Sequence, residues 1–269
     1  MQNTINRLIQ DGQLNQALSV VTEQLKQEPG NHELRSSFIE LLCIDGQLER
    51  ADQQLDLIVK QAPEMLPGVV NLRQIVRAAQ ARLDFAKGGD TAATIGKPGE
   101  SFSALLKLRV ALRENNADEV QSCAQRMEQT RDNVSLKVNG LHRSLIRDVD
   151  DTLAGFVEMF GTNGKYYLIP ISQVSNLEML PAKSLFELIW RRAKVEVSSG
   201  DCGEVFVPLT YVASDSEAEK LARETDWQKV LDTDVYQGRG RKLWLVDDGA
   251  MELFELKSML RAETLEAME

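Results

Sequence analysis

One stretch of this 269-residue chain occurs twice. Gly12-Gln13-Leu14-Asn15-Gln16-Ala17-Leu18 runs on to Pro29, and Gly46-Gln47-Leu48-Glu49-Arg50-Ala51-Asp52 runs on to Pro63. Gly12 and Gly46, Leu14 and Leu48, Ala17 and Ala51, and Pro29 and Pro63 all stand 34 residues apart. A glycine that ends one helix, a leucine and a small alanine that face a partner, and a proline that stops the second helix together describe a helical hairpin. Such a hairpin cannot bury its apolar face alone, so further helices must stack on it.

The 34-residue period is that of tetratricopeptide helix-turn-helix repeats. Ile5, Leu8 and Ile9 predict a first helix over 4–10, broken at Asp11-Gly12. Leu14, Leu18, Val21 and Leu25 mark the second, which Glu28-Pro29-Gly30 closes and Asn31 follows as the cap of the third. Leu34, Phe38, Ile39 and Leu42 stripe the third helix, and Leu48, Ala51, Leu55, Ile58 and Val59 the fourth. A longer helix is predicted over 69–85, then a loop over 91–99. Ser101 is expected to cap a helix over 102–113, and Val120, Cys123, Ala124 and Met127 belong to another after Asn115-Asn116. This last pair reads as a degenerate third repeat that extends and closes the stack. The first helix of each repeat lines the concave side of such an array. Arg35, Phe38, Ile39 and Leu42 are therefore the expected partner-binding residues, most of them core, with Arg35 placed to face an amphipathic helix or extended peptide.

Near Arg131 the pattern changes. A turn at Asn139-Gly140 is followed by a predicted helix over 145–160 and by β-type stretches over 165–171, 193–197, 204–212, 242–246 and 251–256. Short helices fit 181–191 and 216–224, Gly238-Arg239-Gly240 and Asp247-Asp248-Gly249 read as turns, and 263–269 as a frayed end. Strands with scattered helices, without regular βαβ spacing, predict a multidomain α and β chain. Residues 1–130 form a TPR-like α-α superhelix, and 131–269 an α+β domain with a mainly antiparallel sheet.

Composition narrows the partners. A net charge of -10 argues against a nucleic-acid binder, which presents a basic field to phosphates. No apolar run is long enough to span a bilayer, and the first residues lack a signal peptide's apolar centre, so a cytoplasmic protein is expected, without membrane insertion. Cys43, Cys123 and Cys202 are scattered and odd in number, as suits a reducing compartment, and the first two read as small core residues.

One run has a catalytic look. Asp148-x-Asp150-x-Thr152 matches the nucleophile motif of haloacid-dehalogenase-type phosphotransferases, in which two aspartates supply nucleophile and general acid around magnesium. That motif belongs at the end of a buried apolar strand, whereas His142-Arg143-Ser144-Leu145-Ile146-Arg147 precedes it here and no train of βα units follows. The bland reading is that both aspartates cap or flank a helix start. His32 and His142 are isolated, so no zinc site is expected. No Gly-x-Ser-x-Gly elbow exists, and Gly238-Arg239-Gly240-Arg241-Lys242 lacks the lysine-serine pair of a phosphate loop. No catalytic residue, metal or cofactor is expected.

Tyr166, Tyr167, Trp190, Tyr211, Trp227 and Trp244 all fall in the second half, as core or, where exposed, as anchors for a partner. Asp148-x-Asp150 with Leu153 and Glu158, then Gly164-Lys165-Tyr166-Tyr167-Leu168-Ile169-Pro170, Leu188-Ile189-Trp190 and Leu221-Ala222-Arg223-Glu224-Thr225-Asp226-Trp227, resembles the ImpE family. These TagJ or SciE-type proteins are accessory proteins of bacterial type VI secretion, and the amino-terminal hairpins fit as well. Asp148, Asp150, Tyr166, Tyr167, Trp190 and Trp227 are its motif residues here. The resemblance implies a non-enzymatic adaptor that binds the amino-terminal helix of the small contractile-sheath subunit and is linked to the sheath-disassembly ATPase. A magnesium-dependent phosphohydrolase using Asp148 and Asp150, or a general peptide-binding scaffold, are the alternatives. Thr152-Leu153-Ala154-Gly155 replaces the family's Arg-Leu-Gly-Pro, Thr210 stands where an arginine commonly precedes the tyrosine, and Gly240-Arg241-Lys242 replaces Gly-Gln-Arg. An ion-pair site built on those arginines would be altered in this chain.

Overall fold

The repeated segment folds as helical hairpins in the structure of the protein, a computed structural model that describes residues 2–262. α1 (Gln2–Gln10) packs on α2 (Leu14–Gln27), and α3 (His32–Asp45) on α4 (Leu48–Gln61). Gly12 and Gly46 turn the chain with φ of +79° and +82°, where a Cβ would be strained. Leu14, Ala17, Leu48 and Ala51, repeated in sequence, are all buried. Asn31 caps α3 by accepting a hydrogen bond from the Leu34 N–H at 3.0 Å. After a 3-10 turn at Pro63–Met65, α5 (Leu66–Ala86) extends for 21 residues where α4 has 14. Its first half continues the stack on α4, and its second half enters the strand-rich region.

α6 (Glu100–Arg113) and α7 (Ala117–Gln129) form a hairpin as expected, but it does not prolong the stack. It lies across the far end of α5, with the Arg109 guanidinium 5.4 Å from the Phe85 ring and Phe102 edge-on to Phe156 at 6.1 Å. Gly99, not Ser101, precedes the first turn, which carries Glu100 at the positive end of the helix. The preceding loop holds one short strand, β1 (Ala92–Ala93).

The remaining elements are β2 (Leu136–Val138), β3 (Leu141–Arg143), β4 (Ile146–Asp148), β5 (Phe156–Gly161), β6 (Tyr166–Pro170), β7 (Val174–Met179), β8 (Trp190–Val197), β9 (Cys202–Pro208), α8 (Glu217–Lys220), β10 (Thr225–Lys229), β11 (Tyr236–Gly240), β12 (Leu243–Val246), β13 (Gly249–Glu252) and β14 (Ser258–Arg261). A nine-stranded sheet runs β1-β6-β5-β9-β8-β7-β14-β2-β3, antiparallel except for the β1–β6 pair. β13-β12-β4 and β10-β11 form two smaller sheets. The turns at Asn139-Gly140 and Asp247-Asp248 join β2 to β3 and β12 to β13, with Asn139, Gly140 and Asp247 all at positive φ.

The predicted helix over 145–160 is instead β4, a turn and β5. All six residues of β5 are buried, because the strand is covered on both faces. Phe156 and Phe160 join the core beneath the helices, while Val157 and Met159 join a second core on the opposite face. A strand buried on both sides has no apolar-polar alternation to distinguish it from a buried helix. Only a 3-10 turn at Phe186–Leu188 and the four-residue α8 occupy the two other predicted helices. β11 takes the place of the turn predicted at Gly238-Arg239-Gly240. The frayed end predicted over 263–269 lies outside the described residues. Among the described residues no helix is long and apolar enough to cross a membrane.

Candidate functional site

β9 pairs with β5 only at Phe206–Phe160 and Val205–Gly161, then leaves it, and Thr210 bridges to Arg241 instead. The wedge opened beside β5 is filled by charge. Glu158 of β5 takes the Arg82 guanidinium of α5 in a two-pronged ion pair, Nε to Oε1 and Nη2 to Oε2, both at 2.7 Å. Arg82 Nη2 also donates to the Thr210 carbonyl at 2.8 Å, and the Tyr166 hydroxyl donates to Glu158 Oε1 at 2.7 Å. Lys242 lies 2.6 Å from Glu158 Oε2 and 3.3 Å from Asp148 Oδ2, with its ammonium 5.1 Å from the Tyr211 ring. Asp148 Oδ1 accepts from the Asp150 N–H at 2.9 Å and from the Tyr211 hydroxyl at 2.8 Å. Asp150 in turn accepts from the Thr152 N–H and hydroxyl, both at 2.7 Å, and from the Gly238 N–H at 3.0 Å. Arg109 of α6 reaches the Thr152 carbonyl at 3.1 Å.

Asp148, Asp150, Glu158 and Lys242 are each 3% exposed or less, so this is a charge cluster withdrawn from water. Burial alone would raise Glu158, but Arg82 and Lys242 outweigh it and hold the carboxyl below its usual range. Asp148 is pushed up by burial, against the pull of Lys242 and its hydrogen bonds. Burial also pushes the Tyr166 and Tyr211 phenols up, which keeps both hydroxyls protonated and donating.

Asp150 is pushed up to about 6, by burial first and then by Asp148. Because the folded chain holds this proton more tightly than the unfolded one, the stabilisation from Asp150 is complete below its ordinary value of 3.8 and is lost as pH rises through about 6. Urea unfolding near pH 5 and near pH 7.5 is expected to be less pH-dependent in Asp150→Asn than in the parent, by roughly 1 kcal/mol. Identical slopes would show that Asp150 does not titrate in that interval.

Both carboxylate oxygens of Asp148 thus meet protein donors. A cleft of about 260 Å³ between the end of α3, α5 and the sheet is lined by Arg82, Thr210 and Tyr211, while Asp148, Glu158 and Lys242 are not among its walls. Asp148 ends β4 and Asp150 lies in the turn after it, so neither aspartate sits at a helix start. Among the described residues no three histidine, cysteine, aspartate or glutamate side chains gather as a metal site requires.

Arg35, Phe38, Ile39 and Leu42 are all buried. Arg35 donates to Gln54 Oε1 at 2.6 Å and to the Pro29 carbonyl at 2.5 Å, fastening its own hairpin. Beside them, the α3 face that a repeat turns toward a ligand rests on the chain itself. Glu40 Oε2 accepts from the Leu185 and Phe186 N–H groups, and Lys220 of α8 pairs with Asp45 at 3.0 Å. Trp190 is enclosed edge-on by Phe160 and Phe186, and the half-buried Trp227 lies edge-on to Tyr211 at 5.7 Å. Tyr167 sits on the opposite face of β6 from Tyr166, its hydroxyl accepting from Asn163 at 2.9 Å.

Sequence reasoning passed over Arg82 and Arg109, and met Lys242 only as a departure from the family's Gly-Gln-Arg. Arg82 follows Ile75, Ala78 and Ala79 on the buried stripe of α5, and Arg109 follows Phe102 and Leu105 on that of α6. A charge at an apolar position of a helical stripe was the available signal. The departures at Thr152, Thr210 and Arg241 do not leave the site empty. Thr210 offers its carbonyl to Arg82, and Arg241 is bound to the Ala222 carbonyl and to Glu252 over the Phe254 ring.

Residues 141–260 match the ImpE protein family, and residues 8–74 match a tetratricopeptide repeat family. The chain is 26% identical over 255 residues to the type VI secretion system accessory component TagJ of Pseudomonas aeruginosa, covering 94% of this chain and 89% of that one. The crystal structure of protein VPA1032 from Vibrio parahaemolyticus is 40% identical and superposes with a TM-score of 0.94, across 99% of this chain and all of that one. The family signature falls on the strands that enclose the charge cluster, and the repeat match ends within α5, the helix whose Arg82 reaches that cluster. The sheet-forming part of the chain, residues 141–260, belongs to the ImpE family.

Proposed function

We propose that the protein is a non-enzymatic adaptor of bacterial type VI secretion. It acts in the cytoplasm, binds the amino-terminal helix of the small contractile-sheath subunit, and through that contact assists the ATPase that disassembles contracted sheath. The observation that carries this reading is the similarity to TagJ along nearly the whole chain, helices and sheet together. Residues 1–130 serve as the helical repeat domain and 131–269 as the α+β domain that supports it. The acidic cluster favours this over phosphohydrolysis, since a nucleophilic aspartate must reach its phosphate and Asp148 is sealed behind Tyr211 and Lys242.

The test is retention of a synthetic peptide spanning the sheath subunit's amino-terminal helix by the immobilised full-length protein. Micromolar binding is expected, because ordering a free segment opposes the contacts it makes. Retention no greater than that of a scrambled peptide overturns the assignment. Phosphatase turnover by the parent that disappears in Asp148→Asn would overturn the non-enzymatic reading.

A further inference from the structure

The stack of hairpins stops one helix short. α1 packs on α2, α2 on α3, α3 on α4 and α4 on α5, and the rhythm of the repeat places another helix against α5 next. α6 does not fill that position, because it lies at the opposite end of α5, where Arg109 meets Phe85. The first half of α5 consequently leaves Leu66 46% and Val70 42% exposed.

Leu66, Val70, Arg73 and Arg77 succeed one another at spacings of four, three and four, which sets them on one face. On the neighbouring helix Asp52 and Asp56 both bind Arg73, yet their side chains remain 46% and 56% exposed. Further along the same groove a hollow of about 410 Å³ opens over buried Leu48 and Val76. The groove therefore offers an apolar end, a charged middle and an apolar-floored hollow. It spans roughly 20 Å from Leu66 to Gln80, the length of about four helical turns. Its two edges differ in sign: Glu49, Asp52 and Asp56 line the α4 side, and Arg73 and Arg77 the α5 side.

Building on the adaptor reading above, we propose that the α4–α5 groove is the docking site for a single amphipathic helix of the partner, seated where the next helix of the array would stand. Its apolar face covers Leu66 and Val70, and a basic edge runs along the acidic rim of α4. The face that such arrays usually offer is already taken by the chain's own residues 185–186 and α8, which leaves the outer groove for the guest.

Titration of the full-length protein with the labelled sheath-subunit amino-terminal peptide, read by fluorescence anisotropy, tests this. The double variant Leu66→Glu/Val70→Glu is expected to bind at least about tenfold more weakly, with an unchanged melting temperature because both positions are exposed. Asp56→Lys is expected to weaken binding about threefold or more. Leu141→Glu, at another exposed leucine, is expected to change nothing. If the parent binds the peptide and the double variant binds it as tightly, this inference falls while the adaptor reading stands. If the parent itself prefers the peptide no more than a scrambled one, the adaptor reading falls and takes the site with it. Tighter binding by Asp56→Lys would overturn the basic edge. A parent dimer that the double variant abolishes in sedimentation, without peptide, would overturn the partner helix in favour of a second copy of the chain.

Discussion

Arg82→Met is expected to lower the free energy of unfolding by about 3–5 kcal/mol, read as a large fall in the urea midpoint. Methionine keeps much of the arginine stem's volume in the second half of α5 but removes both prongs of the ion pair with Glu158 and the hydrogen bond to the Thr210 carbonyl. Glu158 then remains 3% exposed with Lys242 as its one cationic partner, and Lys242 is already shared with Asp148. The penalty is that of a charge left buried and short of compensation, not the net worth of the pair. Arg82→Met/Glu158→Leu is therefore expected to recover part of the loss, since Lys242 and Asp148 remain to balance each other. A single variant that costs less than about 1 kcal/mol would show that water reaches the cluster and that it does not clamp α5 to the sheet.

Gly240→Ala is expected to destabilise by about 3 kcal/mol or more, from two causes at one residue. Gly240 has φ of +74°, and a Cβ built on it would run into the Glu224 carbonyl oxygen with the Glu219 Cα 3.4 Å away. Both obstacles are backbone, so neither can swing aside as a flexible side chain would. Gly140 supplies the control: its φ is +84°, but nothing lies within 4 Å of the site of its Cβ. Alanine there is expected to cost about 1 kcal/mol, the conformational part alone. Equal losses at the two glycines, measured by thermal or urea unfolding, would mean that the α8–β11 contact yields easily.

These two sites also mark where sequence reasoning succeeded and where it stopped. The hairpins were legible because Gly12, Gly46, Leu14, Leu48, Ala17 and Ala51 act locally, each ending a helix or meeting the next one a few residues away. Asn139-Gly140 and Asp247-Asp248 were legible for the same reason, since a tight turn states its chemistry in adjacent residues. β5 was not, because what makes it a strand is burial on both faces by elements far off in the chain. Nor was β11, whose Gly238-Arg239-Gly240 reads as a turn until Tyr211 is seen lying where a Gly238 side chain would be. The motif aspartates Asp148 and Asp150 were found in sequence. Their partners Tyr211, Lys242 and Gly238 stand 63 or more residues away, and no local pattern connects them.

α5 is one unbroken helix from the exposed Leu66 to the buried Phe85, with Arg82 gripping the sheet near its far end. A pull applied to its first turn meets no joint on the way to β5. It arrives at Glu158 along a stiff rod and is taken up by strands on both sides. Parting the rod from the sheet therefore means drawing Arg82 away from Glu158 and the Thr210 carbonyl.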